Sequence, residues 1–214
     1  TRLSALVDAL DAGNQTLTLQ ARATMALETG PLDVKSVGFS LGRHFPENAI
    51  VCDEGCTAGL AMLNLTAGAR RHDWLMLTGG SIGQGLPLAV GAAIACPTRK
   101  VLALQADGGG MYTLQALWTM AREQLDIVTV ILNNSSYAIL NIEFARVGVA
   151  EPGPKAKSLL DLSNPVINWC SLAEGMGVSA TRTDSQEAFD AALATAIATR
   201  GPHLIEAIVP TPSM

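Results

Sequence analysis

Apolar and polar positions along the chain alternate between two patterns. Short apolar runs bounded by polar or turn residues occur at 49–53, 74–77, 101–105, 127–132, 177–181 and 204–209, and predict six strands. Between most of them apolar residues recur at helical spacing. One helix is predicted to run from near Pro31 through Leu41, and another over 185–199, where Gly201-Pro202 follows as a stop signal. Met111, Leu114, Leu117, Trp118, Ala121 and Leu125 predict a further helix between the third and fourth strands. The segment 86–96 is apolar throughout and too short to span a bilayer, which predicts a buried helix. Strands alternating with helices predict an α/β fold: a doubly wound, mostly parallel six-stranded sheet with helices on both faces.

Residues 1–30 stand apart from this alternation. Leu3, Leu6, Val7 and Leu10 suggest a short helix that Asp11-Ala12-Gly13-Asn14 breaks, and 17–29 finds no partner in the later pattern. The expected organisation is the tail of a preceding domain with a linker over 1–30, followed by one domain over 31–214. Glu151-Pro152-Gly153-Pro154 marks a loop, and the segment to Pro165 is expected to be mobile.

Composition narrows the class. Hydrophobic residues make up 49% and charged residues 15%, too little charge to coat an isolated sphere, so burial against another domain or in an oligomer is expected. The net charge of −5, with only Arg70-Arg71 and Arg99-Lys100 as adjacent basic pairs, argues against binding a nucleic-acid backbone. The amino terminus lacks the layout of a signal peptide and Thr1 is not an initiator methionine. A processed, trimmed or excerpted chain with a cytoplasmic location and no membrane span is expected. Cys52, Cys56, Cys96 and Cys170 form no Cys-x-x-Cys pair and read as reduced thiols; no nearby histidine completes a zinc site with Cys52 and Cys56. His44, His72 and His203 are scattered and offer no catalytic pairing.

Candidate chemistry lies at two strand ends. Asp107-Gly108-Gly109-Gly110 follows the third strand, and Asn133-Asn134-Ser135-Ser136-Tyr137 follows the fourth. Strand, glycine turn, helix, strand is one βαβ unit, whose crossover makes the strands parallel and brings both carboxyl ends to one edge. Asp107 and Asn134 are therefore expected to face one crevice. A carboxylate, an amide oxygen and glycine N–H groups at a helix start suit a magnesium-bound diphosphate. Either half alone is ordinary turn composition; the pairing makes the signal specific. A nicotinamide fingerprint is excluded, because the glycine triplet lacks the later glycine and no acidic residue ends the next strand, and no Gly-Lys-Ser/Thr marks a nucleoside triphosphate loop.

Asp107-Gly108 with Asn134 of an Asn-Asn pair resembles the thiamine diphosphate signature of acetolactate synthases, benzoylformate decarboxylases, pyruvate decarboxylases and their relatives. The resemblance extends through Pro46-Glu47-Asn48-Ala49-Ile50-Val51, the turn and helix from Gly79-Gly80-Ser81-Ile82-Gly83 to Pro87, and Gly201-Pro202-His203-Leu204-Ile205-Glu206. It covers residues 31–209 and implies the carboxyl-terminal, diphosphate-binding domain of such an enzyme. It further implies a magnesium ion held by the Asp107 carboxylate, the Asn134 side-chain oxygen and the Ser136 main-chain carbonyl. Gly108 and Gly109 would donate N–H bonds to the diphosphate. Glu54, Gly55 and Cys56 would contact the pyrimidine or diphosphate, with Ser81 and Tyr137 in the same cofactor-binding set. The Gly80 carbonyl would accept from the aminopyrimidine, Ile82 would hold the cofactor bent from beneath, and Ile139 and Leu140 would line the substrate pocket. Ala106 and Gly109 depart from the Gly and Ser usual on either side of Asp-Gly, which removes one hydroxyl contact and leaves the metal ligands in place.

The family chemistry implied is decarboxylation or carboligation of 2-oxo acids. The catalytic set is expected outside this chain, because the activating glutamate belongs to an amino-terminal domain, usually of a neighbouring subunit. Missing amino-terminal and middle domains and a homodimer or homotetramer are the implied partners. The overall pattern resembles acetolactate synthase large subunits, whereas the Asn134 to Leu140 loop is closer to benzoylformate decarboxylase. Leu140 stands where pyruvate decarboxylases tend to carry an acidic residue. A natural small subunit, a non-catalytic cofactor-binding module and a generic nucleotide-binding α/β domain remain as alternatives.

Overall fold

The computed structural model describes residues 29–149 and 151–211; the helix expected from Leu3 to Leu10 lies outside them. Six strands form one sheet: β1 (Ala49–Glu54), β2 (His72–Met76), β3 (Val101–Ala106), β4 (Ile127–Asn133), β5 (Ser179–Thr183) and β6 (His203–Ile208). Their order is β2-β1-β3-β4-β6-β5, and every pairing is parallel. All carboxyl ends thus meet on one edge. The central strands β1, β3 and β4 are buried almost throughout, as continuous apolar runs covered on both faces should be.

Period-two alternation sends successive side chains to opposite faces, and two helical layers cover them. On one face α1 (Val34–His44), α2 (Cys56–Leu65) and α9 (Gln186–Ala198) bring Leu41, Met62 and Phe189 against Val51, Leu102, Leu104 and Val130. On the other, α3 (Gly85–Ala95), α5 (Ala116–Arg122) and α8 (Trp169–Gly175) bring Leu86, Leu117 and Trp169 against Cys52, Ala103, Ile127 and Ile131. The single turn α4 (Asp107–Gly110) and the helices α6 (Ala138–Arg146) and α7 (Pro154–Leu160) sit at the carboxyl edge and around it.

Three expectations change. The apolar spacing from Met111 to Leu125 does not form one helix: α4 ends at Gly110, turns follow, and α5 starts only at Ala116. Past Gly110 the N–H groups of Tyr112, Thr113, Ala116, Leu117 and Trp118 donate three residues back rather than four, the Thr113 hydroxyl is drawn to the Gly83 carbonyl, and Gly110 is held against the Trp169 ring, which a Cβ there would meet at 2.7 Å. Pro154, marked as part of a loop, instead opens α7 and stands at its first turn, where a missing N–H costs nothing. Finally, α3 is buried on one side only: Leu86, Ala89 and Ala93 face the sheet, while Pro87, Gly91 and Ile94 are exposed.

Candidate functional site

The chain leaves β1 toward β2 on one side and later returns to β3 on the other, so the loops after β1 and β3 diverge. Such a switch point opens a crevice at the carboxyl edge. Here it is a solvent-open cleft lined by the turns after β1, β3 and β4 and by Ile82 from the loop before α3.

Asp107 is the first residue after β3 and is 2% exposed. Its Oδ1 accepts from the Gly108 N–H at 2.9 Å and its Oδ2 from the Ser135 N–H at 2.7 Å, tying the β3 turn to the β4 turn. Burial pushes its carboxyl above the ordinary range, against the pull of these N–H bonds. A cation beside it would supply the counter-charge that burial makes favourable. Asn134 Oδ1 accepts from the Ser136 N–H at 3.0 Å, folding the loop so that Asn134, Ser136 and Tyr137 all line the cleft. Ser135 has a φ of 54°, in the left-handed region, and its N–H bonds to Asp107 and Asn133 hold it there.

A strap from α7 closes behind this loop. Tyr137 donates its N–H to the Leu160 carbonyl and Leu162 donates to the Ser135 carbonyl, both at 2.9 Å. The glycines of α4 fit tightly. A Cβ on Gly108 would lie 2.3 Å from Tyr137 Cε1, and one on Gly109 would lie 2.7 Å from Glu54 Oε1. Bare backbone is therefore all the space admits at these two positions, with the Gly108 N–H held by Asp107. Across the cleft, Cys56 adopts a φ of 47° at the start of α2. Burial, then the charges of Glu54, Asp53 and Asp107, push its thiol up to about 11, so it is protonated at neutral pH.

Gly55, Cys56, Ile82, Asp107, Gly108, Gly109, Asn134, Ser136, Tyr137 and Ile139 all line the one cleft. Glu54, Gly80, Ser81 and Leu140 do not. Glu54 is 1% exposed and points into the protein, where its carboxylate accepts from the N–H groups of Gly83 and Gly85. Gly80 and Ser81 are exposed, with the Gly80 carbonyl accepting from the Ile82 N–H at 3.0 Å, and Leu140 is exposed on α6. Thr57, Ala58, Ala106, Leu132 and Ala138 complete the lining; their adjacency to the turn motifs was the available signal. Among the described residues no three His, Cys, Asp or Glu side chains are grouped to hold a metal, so a cation in this cleft would need mixed oxygen donors. Asp107 and Asn134 bring hard side-chain oxygens to the cleft, beside the buried backbone of Gly108 and Gly109.

Residues 53–207 match the family model described as the thiamine pyrophosphate enzyme, C-terminal TPP binding domain. The chain belongs to this family. It is therefore a thiamine diphosphate-binding, carboxyl-terminal domain related to acetolactate synthases and benzoylformate decarboxylases. It is 53% identical over 186 residues to a Mycobacterium tuberculosis protein assigned as acetolactate synthase large subunit IlvX, covering 86% of this chain and 36% of that one. It is 33% identical over 187 residues to the benzoylformate decarboxylase of Pseudomonas aeruginosa, covering 87% and 34%. Its fold overlays the thiamine diphosphate-dependent 4-hydroxybenzoylformate decarboxylase of Rhodococcus jostii with a TM-score of 0.76 at 29% identity, covering 89% and 35%. The chain thus spans about a third of the length of these relatives. Among the described residues no helix is long and apolar enough to cross a membrane.

Proposed function

We propose that this chain is the diphosphate-binding part of a magnesium- and thiamine diphosphate-dependent enzyme acting on 2-oxo acids. The observation that carries the reading is the convergence of Asp107, Asn134 and Ser136 with the Gly108-Gly109 turn in the lining of one cleft, the turns after β3 and β4 being tied by the Ser135 N–H to Asp107. Asp107, the Asn134 amide oxygen and the Ser136 carbonyl would hold the magnesium ion. The Gly108 and Gly109 N–H groups would bind diphosphate oxygens, and Ile82, beside the same cleft, would support the organic part of the cofactor. When bound, thiamine diphosphate supplies the electron sink for decarboxylation of a 2-oxo acid. The chain's own residues bind and orient it; the activating carboxylate comes from a different domain of the whole enzyme. Residues 1–30 would form the connection to that remainder, and a homodimer or homotetramer in the cytoplasm is the assembly proposed.

Calorimetry tests this reading. With magnesium present, thiamine diphosphate is expected to bind and ADP to bind far more weakly. Asp107→Asn should weaken binding by about 100-fold, the effect of losing a charge-assisted contact of ~3 kcal/mol. Equal affinity for both ligands, or binding indifferent to magnesium, would refute it. For the substrate, Ile139 gives the cleft an apolar border that favours aryl or branched 2-oxo acids, in keeping with the two aryl 2-oxo acid decarboxylases among the relatives. Acetolactate synthase-like carboligation is the second reading, favoured by the 53% identity to the Mycobacterium tuberculosis protein. A 2-oxo acid panel on the whole enzyme, scored for aldehyde against ligated product, separates the two.

A further inference from the structure

Glu54 is a buried carboxylate at the end of β1 that does not line the cleft. Its two oxygens are divided between two N–H groups of one segment: Oε1 accepts from Gly83 at 2.7 Å, and Oε2 accepts from Gly85 at the start of α3. Those two residues close the loop that carries Ile82. Within the loop the Ser81 N–H donates to the Thr78 carbonyl, the Ile82 N–H to the Gly80 carbonyl and the Thr78 N–H to Gln84 Oε1. Gly79, Gly80 and Gly83 all have positive φ, residues 79–81 are exposed, and a second hold on Gly83 comes from the Thr113 hydroxyl, which donates to its carbonyl at 2.9 Å. The packing around Glu54 is also tight: Gly85 lies against its Cβ and Gly109 against its Oε1, so neither glycine can carry a side chain.

We propose that Glu54 is a positioning residue that fixes the Ile82 loop by its two carboxylate bonds and so adapts the cleft to the ring portion of thiamine diphosphate rather than to its diphosphate. This rests on the reading of Ile82 as support for that portion. The physical basis is that a carboxylate accepts on both oxygens, whereas an amide of the same shape accepts on one and turns an N–H toward the other donor. Glu54→Gln keeps the volume beneath Gly109, and with it the diphosphate cradle, but releases one end of the loop. Leaving a buried N–H without an acceptor is unfavourable enough for the loop to move.

The test compares the full 214-residue chain with its Glu54→Gln variant by amide hydrogen exchange and by calorimetry with two magnesium-loaded probes, thiamine diphosphate and inorganic pyrophosphate. In the unsubstituted chain the Gly83 and Gly85 amides should exchange at least about tenfold more slowly than those of Gly79 and Gly80. Glu54→Gln should erase that protection and weaken thiamine diphosphate by about tenfold, while inorganic pyrophosphate stays within about twofold, a split that general loss of structure would not give. Unchanged thiamine diphosphate affinity, or equal weakening of both probes, overturns the proposal. Should Glu54→Gln fail to fold, Ile82→Ala and the exchange pattern of the unsubstituted chain decide. Fast exchange at Gly83 and Gly85, or Ile82→Ala binding thiamine diphosphate normally, overturns it as well. An unsubstituted chain that binds neither probe refutes the underlying cofactor reading, a result distinct from each of these.

Discussion

A methyl group at Gly108 would meet the Tyr137 ring at 2.3 Å, so the residue that follows the buried carboxylate is constrained by the loop of another strand. Gly108→Ala is expected to cost about 1–3 kcal/mol of stability through overpacking, and to weaken thiamine diphosphate binding as Tyr137 is pushed from its place. Tyr137→Ala should restore much of the stability in the double variant. Urea denaturation of the four proteins gives the coupling, and additive effects would mean that the two residues do not touch. Asp107 and Asn134 could be read from the sequence because each sits at the point where an apolar run ends. Glu54 could be placed there too, but its direction could not. It belongs to the face of β1 that holds Ile50 and Cys52, which period-two alternation turns toward α3.

At the scale of elements, helix ends and the strap behind the loop after β4 matter most. Asp33 caps α1 with a reciprocal box: its carboxylate accepts from the Ser36 N–H at 2.7 Å, while the Ser36 hydroxyl oxygen accepts from the Asp33 N–H at 3.0 Å. Asp33→Ala should lower stability by about 1 kcal/mol, seen as a fall in urea midpoint at constant slope. Cofactor affinity should be unchanged, because no residue of α1 lines the cleft. The strap behaves differently. Neither α7 nor the Leu160 and Leu162 bonds were legible, since Glu151-Pro152-Gly153-Pro154 has the composition of a loop. The bonds join residues that are distant in sequence, so no local pattern could announce them.

For the whole molecule, a histidine at the start of β6 contributes a pH dependence to stability. His203 opens β6 between β4 and β5, and burial, then the neighbouring Lys100 charge, pull its pKa below the ordinary 6.5. The unfolded chain therefore takes up a proton first as pH falls. Stability is complete above about pH 7 and declines as pH drops through 6.5 toward the folded value, by an amount that solvent screening of the partly exposed ring keeps small. Melting temperatures across that range should show the decline, and His203→Gln should flatten it; an unchanged slope would place the effect elsewhere.

The sequence by itself determined six strands, their alternation with helices, the family, and the pairing of Asp107 with Asn134, because apolar periodicity and strand ends are local properties. Only the tertiary structure decided the order β2-β1-β3-β4-β6-β5, the break of the helix after Gly110 beneath Trp169, and the turning of Glu54 away from the cleft. Each of these depends on which distant surfaces meet, and packing between segments far apart in the chain leaves no periodic trace in either one.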